Sequence, residues 1–516
     1  MQKTAAEWFV EGLRERGVEW IATLCGHGQD SLFWAARRAG IRLIDVRNEQ
    51  TAAYIAEAYG RLTRRPGVCS VSSGVAVANG LTGVLNAWFD HAPMLMISGS
   101  HDLATLGMGC FQDLDQTELC RPVTLFSRIL DCPVRVLQVL DEAWRLAQSD
   151  PPGPVHLMFP MDVQRAEVAS ADLFKPSGFS EPAGPSLARL GDAAARIARA
   201  ERPLLIAGSC AYYAGEGRDL TTFTEEWAIP VQTPIWDRGV FDEESDSFVG
   251  VIGAASGGPP LLAQSDCVVL AGAAVDYRVG YLQGNEPAIR LTRGWSHLGN
   301  LLSGAGREPW THWLATARSA SDEYRESIEA RGQEQSGGRL HAIHIIEAIE
   351  SVLPVDSTLI IDGGSIGQWA HQLLATRRYP SQWLTCGRSG VVGYGLGAAM
   401  AARLANPSRP VLLLSGDGAF TFTVAEIECA VRQNLPFVAI VADDQCWGIT
   451  HTGHLKQFGE GLATQLGSIR FDLLAQSMGA QGLRVERPDE IPAALRKALG
   501  SNAVTILHIP IVGGNP

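Results

Sequence analysis

Short apolar runs alternate with helix-length amphipathic stretches along almost the whole chain, and this alternation restricts the fold most. The runs VCSVSS (68–73), PMLMISG (93–99), PVHLMF (154–159), PLLIAG (203–208), CVVLAG (267–272), TLIIDGG (358–364), PVLLLSGDG (410–418) and FVAIVADD (437–444) are apolar nearly throughout. A strand that is apolar on both faces sits inside a parallel sheet with helices on each side. The pattern predicts an α/β protein of doubly wound parallel-sheet domains.

A chain of 516 residues is long for one domain. Two stretches interrupt the pattern and read as linkers: 166–186, rich in Pro, Ser, Gly and Ala, and the polar stretch 316–338, ending in RGQEQSGG. They predict three domains, at 1–165, 187–316 and 339–516. No internal repeat is visible in the letters.

The charge balance narrows the function classes. With 42 basic and 55 acidic residues, the net charge is −13. Basic residues cluster only in pairs such as Arg37-Arg38 and Arg64-Arg65. This argues against nucleic-acid binding, which needs a clustered basic surface. No stretch reaches the roughly 18 apolar residues of a membrane span, and the first residues lack an apolar signal core. The ten cysteines form no C-x-x-C pair, which fits a reducing cytoplasm better than a disulfide framework or zinc site. The expectation is a cytoplasmic protein with no membrane partner.

Three groups of residues can carry chemistry. The strand VLLLSGDG ends in Asp417 between two glycines, and FVAIVADD ends in Asp443-Asp444, followed by Gln445-Cys446-Trp447-Gly448. Adjacent parallel strands would then each deliver a carboxylate at the edge where such sheets bind ligands. Asp417 and Asp444 could hold Mg²⁺ and a diphosphate together, because Mg²⁺ takes a few carboxylates and completes its shell with phosphate oxygens. The alternative is that both simply cap helices. Second, Arg47-Asn48-Glu49-Gln50 follows the strand IRLIDV; Glu49 alone reads as a first-turn residue facing the helix dipole. Third, GRSGVVGYGLGAAMAARL (387–404) holds a loose G-x-G-x-x-A at 393–398. That pattern fits an NAD(P) or flavin site, or close helix packing.

Together these stretches resemble thiamine-diphosphate-dependent enzymes of the acetolactate synthase, benzaldehyde lyase and 2-hydroxyacyl-CoA lyase group. The resemblance runs over nearly the whole chain in one order. It is carried by residues 47–99, FQDLDQ (111–116), GPVHLMFPMDV (153–163), DGGSIGQW (362–369), GVVGYGLGAAM (390–400), GDGAF (416–420) and DDQCWG (443–448). It implies an aminopyrimidine-binding domain, a largely structural central domain and a diphosphate- and Mg²⁺-binding domain. It also implies a homodimer at least, commonly a homotetramer, with the cofactor between the first domain of one subunit and the third of another.

Residue by residue, the resemblance implies that Glu49 bonds the aminopyrimidine ring and promotes the tautomer that removes the thiazolium C2 proton. Val392 would wedge beneath the cofactor. Ser73, Gly364, Ser365, Gly418, Ala419 and Gly448 fall on its binding loops. Asp417, Asp444 and the Cys446 carbonyl match the metal ligands. His27, in the loop Cys25–Gln29, and Gln112 match substrate-facing positions where protons move; benzaldehyde lyase-like members carry the histidine one position later. The small-molecule substrate would be a 2-oxo acid, 2-hydroxy ketone or 2-hydroxy thioester, acted on by a lyase, decarboxylase or carboligating transferase.

The chain departs from the family at Asp443-Asp444, where Asn-Asn is usual. Each Asp adds negative charge near an anionic diphosphate, so weaker cofactor binding or a stronger demand for the divalent ion is expected; the alternative is a non-catalytic cofactor-binding or subunit-interaction homologue. PLLIAGSC and CVVLAGAAVDYRVG are similar to acetolactate synthase segments near bound flavin, but the match is too partial to assign FAD. Only GGNP follows VTILHIPIV, so the closing C-terminal arm of several members is expected to be absent or supplied from elsewhere, leaving an open pocket.

Overall fold

The computed structural model describes residues 2–174, 184–237, 239–282, 284, 288–375 and 382–516. All eight apolar runs form strands, distributed over three parallel sheets.

The first sheet runs, edge to edge, Arg42–Asp45, Trp20–Thr23, Gly67–Val71, Met94–Ser100, Pro154–Pro160 and Phe126–Ile129. Numbered in chain order, its strands lie 2-1-3-4-6-5. The third sheet runs Trp383–Thr385, Thr358–Ile361, Val411–Gly416, Val438–Asp443, Thr505–Pro510 and Gln481–Arg484, and has the same order. The central sheet has five strands, Phe248–Ile252, Val231–Pro234, Pro203–Ala207, Cys267–Ala271 and Ile289–Leu291. The first and third domains therefore repeat one topology that identical letters do not reveal.

The central strands are buried along their length, as a sheet covered on both faces requires. One face of the first sheet packs Val68, Leu95, Leu157 and Phe159 against Phe9, Leu13 and Leu140 of the covering helices. In the third sheet, Leu359, Leu412 and Ile440 pack against Ile345, Ile349 and Trp369.

Two compact units emerge. One comprises 1–182 with 396–407 and 423–435; the other comprises 183–395 with 408–422 and 436–516. Two helical stretches of the third block thus group with the first sheet.

One linker reading changes at its start and the other throughout. Glu167–Ala169 forms a short strand antiparallel to Gln2–Thr4, with Val168 buried in the first core. The rest of that stretch lies in part outside the described residues. Residues 316–338 are no linker: they belong to the helix Thr311–Ser336, which ends at Gly337 in the left-handed conformation. Its polar letters are good helix formers, and Trp313, Ala317, Ile328, Gly332 and Ser336 form its buried side. Composition alone does not separate a solvated helix from a linker.

Candidate active site

In the third sheet the chain order reverses between Thr358–Ile361 and Val411–Gly416, and a crevice opens at such a point beyond the strand ends. The backbones after these strands approach closely. A Cβ on Gly364 would lie 2.9 Å from the Gly416 Cα, so neither position tolerates a side chain without movement. The helix Ser365–Leu373 starts here, with no side chain capping its first N–H groups. Those groups and the dipole favour an anion.

A cavity of about 620 Å³ opens at this edge. Gly364, Ser365, Val392 and Asp417 line it, as do Gly418, Ala419, Asp444, Cys446 and Gly448. Every third-domain residue expected at the cofactor is therefore brought together. Ile235 and the aromatic rings of Trp236 and Tyr277, from the central domain, add a wall not expected from sequence; Trp236 Nε1 donates to the Tyr277 hydroxyl at 2.9 Å.

The chemistry of the lining fits a divalent cation and a diphosphate. Ser365 Oγ is buried and has no partner among the described residues. A Cβ on Gly448 would sit 2.2 Å from that hydroxyl and 2.6 Å from Asp444 Oδ2, so glycine keeps both groups open to the cavity. Burial, then the neighbouring Asp444 and Asp443 charges, push Asp417 up to about 7. Burial also raises Asp444. Two desolvated carboxylates with too little positive charge are what a cation relieves. Among the described residues no three His, Cys, Asp or Glu side chains converge as a complete metal site. This suits an ion that fills its shell with phosphate oxygens.

Asp443 behaves differently from Asp444. It does not line the cavity. Its Oδ2 lies 2.8 Å from His508 Nε2, and His508 Nδ1 lies 3.3 Å from Asp472 Oδ1. Arg470 pairs with Asp472 at 2.7 Å and, chiefly through that hydrogen bond, holds its carboxyl well below the usual range. The imidazole thus stands between two carboxylates, with one ring nitrogen facing each. Asp443 thus has a buried imidazole partner of its own, although its field still contributes to raising Asp417.

Asp362, also missed from sequence, organises the opposite wall. Its carboxylate accepts from the backbone N–H of Gly363 at 2.7 Å, Gly393 at 3.2 Å and Gly395 at 2.9 Å. Burial pushes it up to about 6 against the pull of these donors. It fixes the turn carrying Val392. The available signal was a carboxylate closing an apolar strand, the same pattern as at Asp417.

The 393–398 glycines do not form a dinucleotide cradle. The three-residue edge strand Trp383–Thr385 precedes them, not the first strand of the sheet. Gly397 packs against Tyr54, whose Cβ would be 3.0 Å from an added Cβ. In the central domain, Arg278 of the flavin-like stretch is fully buried and paired with Asp237 at 3.1 Å and Asp276 at 2.8 Å.

The first sheet has its own cluster at its C-terminal edge. His27 follows the first strand, Ser72 and Ser73 the third, and His101 the fourth. Ser72 Oγ donates to the His27 carbonyl at 3.0 Å, and Ser73 Oγ donates to Gln112 Oε1 at 3.1 Å. Gln112 sits at φ 57°, a left-handed conformation that a non-glycine residue adopts at some cost. His27, Ser73 and Gln112 thus converge, with His101 and Phe111 as residues not expected from sequence.

Glu49 opens the helix Glu49–Thr63 behind the N-cap Asn48. Its Oε2 accepts from Asn79 Nδ2 at 2.6 Å. It belongs to the first unit, whereas the cavity belongs to the second.

Family models for the N-terminal TPP binding, central and C-terminal TPP binding domains of thiamine pyrophosphate enzymes match residues 3–119, 190–291 and 362–509. The acetolactate synthase large subunit IlvG of Mycobacterium tuberculosis is 30% identical over 526 residues, covering 96% of this chain and 94% of that protein. The chain belongs to the thiamine pyrophosphate enzyme family. It is also similar to 2-hydroxyacyl-CoA lyase 2 of Homo sapiens, at 28% identity over 93% of this chain and 84% of that one. The "Probable 2-ketoarginine decarboxylase AruI" of Pseudomonas aeruginosa is 28% identical over 98% of this chain and 94% of that one. The chain is thus an enzyme of the thiamine-diphosphate-dependent class, with synthase, lyase and decarboxylase relatives. Among the described residues no helix is long and apolar enough to cross a membrane.

Proposed function

We propose that this thiamine-diphosphate-dependent enzyme requires Mg²⁺ and makes or breaks a carbon–carbon bond next to a carbonyl, in 2-oxo acids or in 2-hydroxy ketones and thioesters. The observation that carries the reading is the buried Asp417 and the half-buried Asp444 lining one cavity with the Ser365 hydroxyl, which has no partner among the described residues, at the sheet's reversal point. Asp417, Asp444 and the Cys446 carbonyl would hold Mg²⁺. Ser365 and the free N–H groups behind Gly364 would hold the diphosphate. Val392, on the turn fixed by Asp362, would support the thiazolium. When bound, thiamine diphosphate supplies the nucleophilic carbon and the electron sink.

The protein's part is binding, orientation and proton transfer. Glu49 would hold the aminopyrimidine through a charge-assisted hydrogen bond and keep its ring nitrogen protonated. His27 and Gln112 would face the substrate. We propose a homodimer or homotetramer, with Glu49 of one copy serving the cavity of another. The exposed Val75 (67%) and Phe89 (41%) on the helix Val75–Asp90 support a second copy on that face. The net charge of −13 and the free cysteines support a cytoplasmic enzyme with no nucleic-acid or membrane partner. The pairing of Asp443 with His508 favours catalysis over the non-catalytic alternative.

The test is a thiamine diphosphate titration of metal-stripped protein with and without Mg²⁺. A product screen with pyruvate, benzoin-type acyloins and 2-hydroxyacyl-CoA thioesters follows it. Saturable, Mg²⁺-dependent binding with turnover of one donor is expected. Glu49→Gln is expected to keep the cofactor but lose most exchange of its C2 proton. Unchanged exchange would defeat the role of Glu49, and absence of binding at millimolar cofactor would defeat the reading.

A further inference from the structure

The cluster on the first sheet contains two imidazoles in contact. Their ring centroids are 4.2 Å apart, and His27 Nε2 lies 3.3 Å from His101 Nδ1. His101 Nε2 lies 2.5 Å from the carbonyl oxygen of Phe111. The Phe111 ring meets His27 edge-on at 5.9 Å. His101 follows directly on the strand Met94–Ser100, and Phe111 belongs to the loop beyond it.

This chain of contacts orders the hydrogens. A carbonyl oxygen can only accept, so His101 Nε2 carries its ring's hydrogen. A neutral imidazole has one such hydrogen, so His101 Nδ1 is bare and can only accept in turn. The hydrogen between the rings then comes from His27 Nε2. That leaves His27 Nδ1 bare, and it has no hydrogen-bond partner among the described residues.

We propose that His101 is a positioning residue that holds His27 in the Nε2–H tautomer, so that Nδ1 of His27 accepts the hydroxyl proton of a 2-hydroxy carbonyl substrate. The inference deepens the proposed carbon–carbon chemistry and rests on it. Cleaving the bond between a carbonyl carbon and a hydroxyl-bearing carbon releases an aldehyde. That aldehyde forms only as the hydroxyl loses its proton while the bonding electron pair goes to the carbonyl side. The proton passes to His27 Nδ1, and the imidazolium keeps its Nε2–H on His101. The proton later leaves with the second product, which restores the neutral ring. A 2-oxo acid loses CO₂ instead, with no hydroxyl proton to remove at that step. The His27–His101 pair therefore favours 2-hydroxy donors as the substrate class.

The test uses the full-length protein with ¹³C,¹⁵N-labelled histidine, free of cofactor. His27 signals are identified by their loss in His27→Gln. The expected spectrum shows the Nε2–H tautomer for His27. His101→Phe keeps a ring but removes the acceptor and should release His27 into a tautomer mixture. His101→Asn, whose Oδ1 can accept, should restore the single form. In the loaded enzyme His101→Phe should lower turnover of a 2-hydroxy donor on the order of 10- to 100-fold, with most of it recovered in His101→Asn. A His27 ring carrying its hydrogen on Nδ1, or a tautomer unchanged in His101→Phe, would overturn the proposal. Wild-type turnover of 2-oxo acids but of no 2-hydroxy donor would overturn its catalytic half, whereas the spectra alone decide the tautomer.

Discussion

Glu426 accepts the backbone N–H of Arg47 with both carboxylate oxygens, each at 3.1 Å. Glu426 is buried, and burial raises its pKa even though Arg47 and Cys429 donate toward it. The Arg47 side chain continues the contact by pairing with Glu428 at 2.7 Å. Two residues after Arg47 stands Glu49. The segment that presents Glu49 is thus clamped by a helix from the third block that packs in the same unit.

Removing that clamp tests its purpose. Glu426→Ala strands a backbone donor and is expected to cost about 1–3 kcal/mol of stability. Thermal unfolding followed by calorimetry measures it. If the clamp serves Glu49, exchange of the cofactor C2 proton will also fall at temperatures where the variant is fully folded. Full exchange in folded Glu426→Ala would leave Glu426 with a structural role only.

The second test concerns the two aspartates. Asp444→Asn removes one of the charges that crowd Asp417 and keeps an oxygen where a ligand is proposed, so cofactor binding should survive. Asp417→Ala removes a proposed ligand and should abolish the Mg²⁺ dependence. His508→Leu leaves the buried Asp443 without its imidazole hydrogen-bond partner, a loss of about 1–3 kcal/mol for a buried polar group left unpaired. Isothermal titration of Mg²⁺ with thiamine diphosphate, beside denaturant melts, separates these effects. A stable His508→Leu protein would mean that Asp443 needs no imidazole partner.

How far the letters reach can be seen from which residues they miss. The central strands were legible because strands buried on both faces are almost wholly apolar. The edge strands Phe126–Ile129 and Gln481–Arg484 were not, because their half-exposed faces carry mixed letters. The shared 2-1-3-4-6-5 order was invisible, since patterning and connection lengths carry topology without letter identity. At the site, Asp417 and Asp444 announced themselves at strand ends beside glycine. Glu426, His508 and His101 did not, because their partners lie far along the chain. Arg47 is 379 positions from Glu426, and Asp443 is 65 from His508.

A third prediction follows from His156. Its ring is fully buried between Ser98 Oγ, 2.8 Å from Nε2, and Ser127 Oγ, 3.0 Å from Nδ1. Burial pushes it down to about 3 from the ordinary 6.5. Below pH 6.5 the unfolded chain binds a proton here that the folded chain refuses, so stability falls as the pH falls from 6.5 toward 3. From pH 6.5 to 5 the loss is about 2 kcal/mol. His156→Gln cannot take that proton. It should be less stable at pH 7.5 but show a shallower decline between pH 6.5 and 5 in urea melts. Equal slopes in the two proteins would mean that other groups carry the acid sensitivity.

The last prediction separates space from chemistry at the diphosphate end of the cavity. Gly448→Ala places a methyl group 2.2 Å from Ser365 Oγ and 2.6 Å from Asp444 Oδ2 in the present arrangement. The serine hydroxyl and the carboxylate must both give way, and both line the space assigned to the phosphate and the metal. Gly448 opens the helix Gly448–Phe458, so alanine suits its backbone and the fold should hold. Ser365→Ala removes the unpartnered hydroxyl without adding bulk. It should weaken thiamine diphosphate binding by about one hydrogen bond to a charged acceptor, roughly 1.5–3 kcal/mol, with little change in melting temperature. Gly448→Ala should weaken binding by more than Ser365→Ala, and the double variant by no more than Gly448→Ala alone, because the added methyl already displaces the hydroxyl. Additive losses would show that Gly448 and Ser365 act on different parts of the ligand.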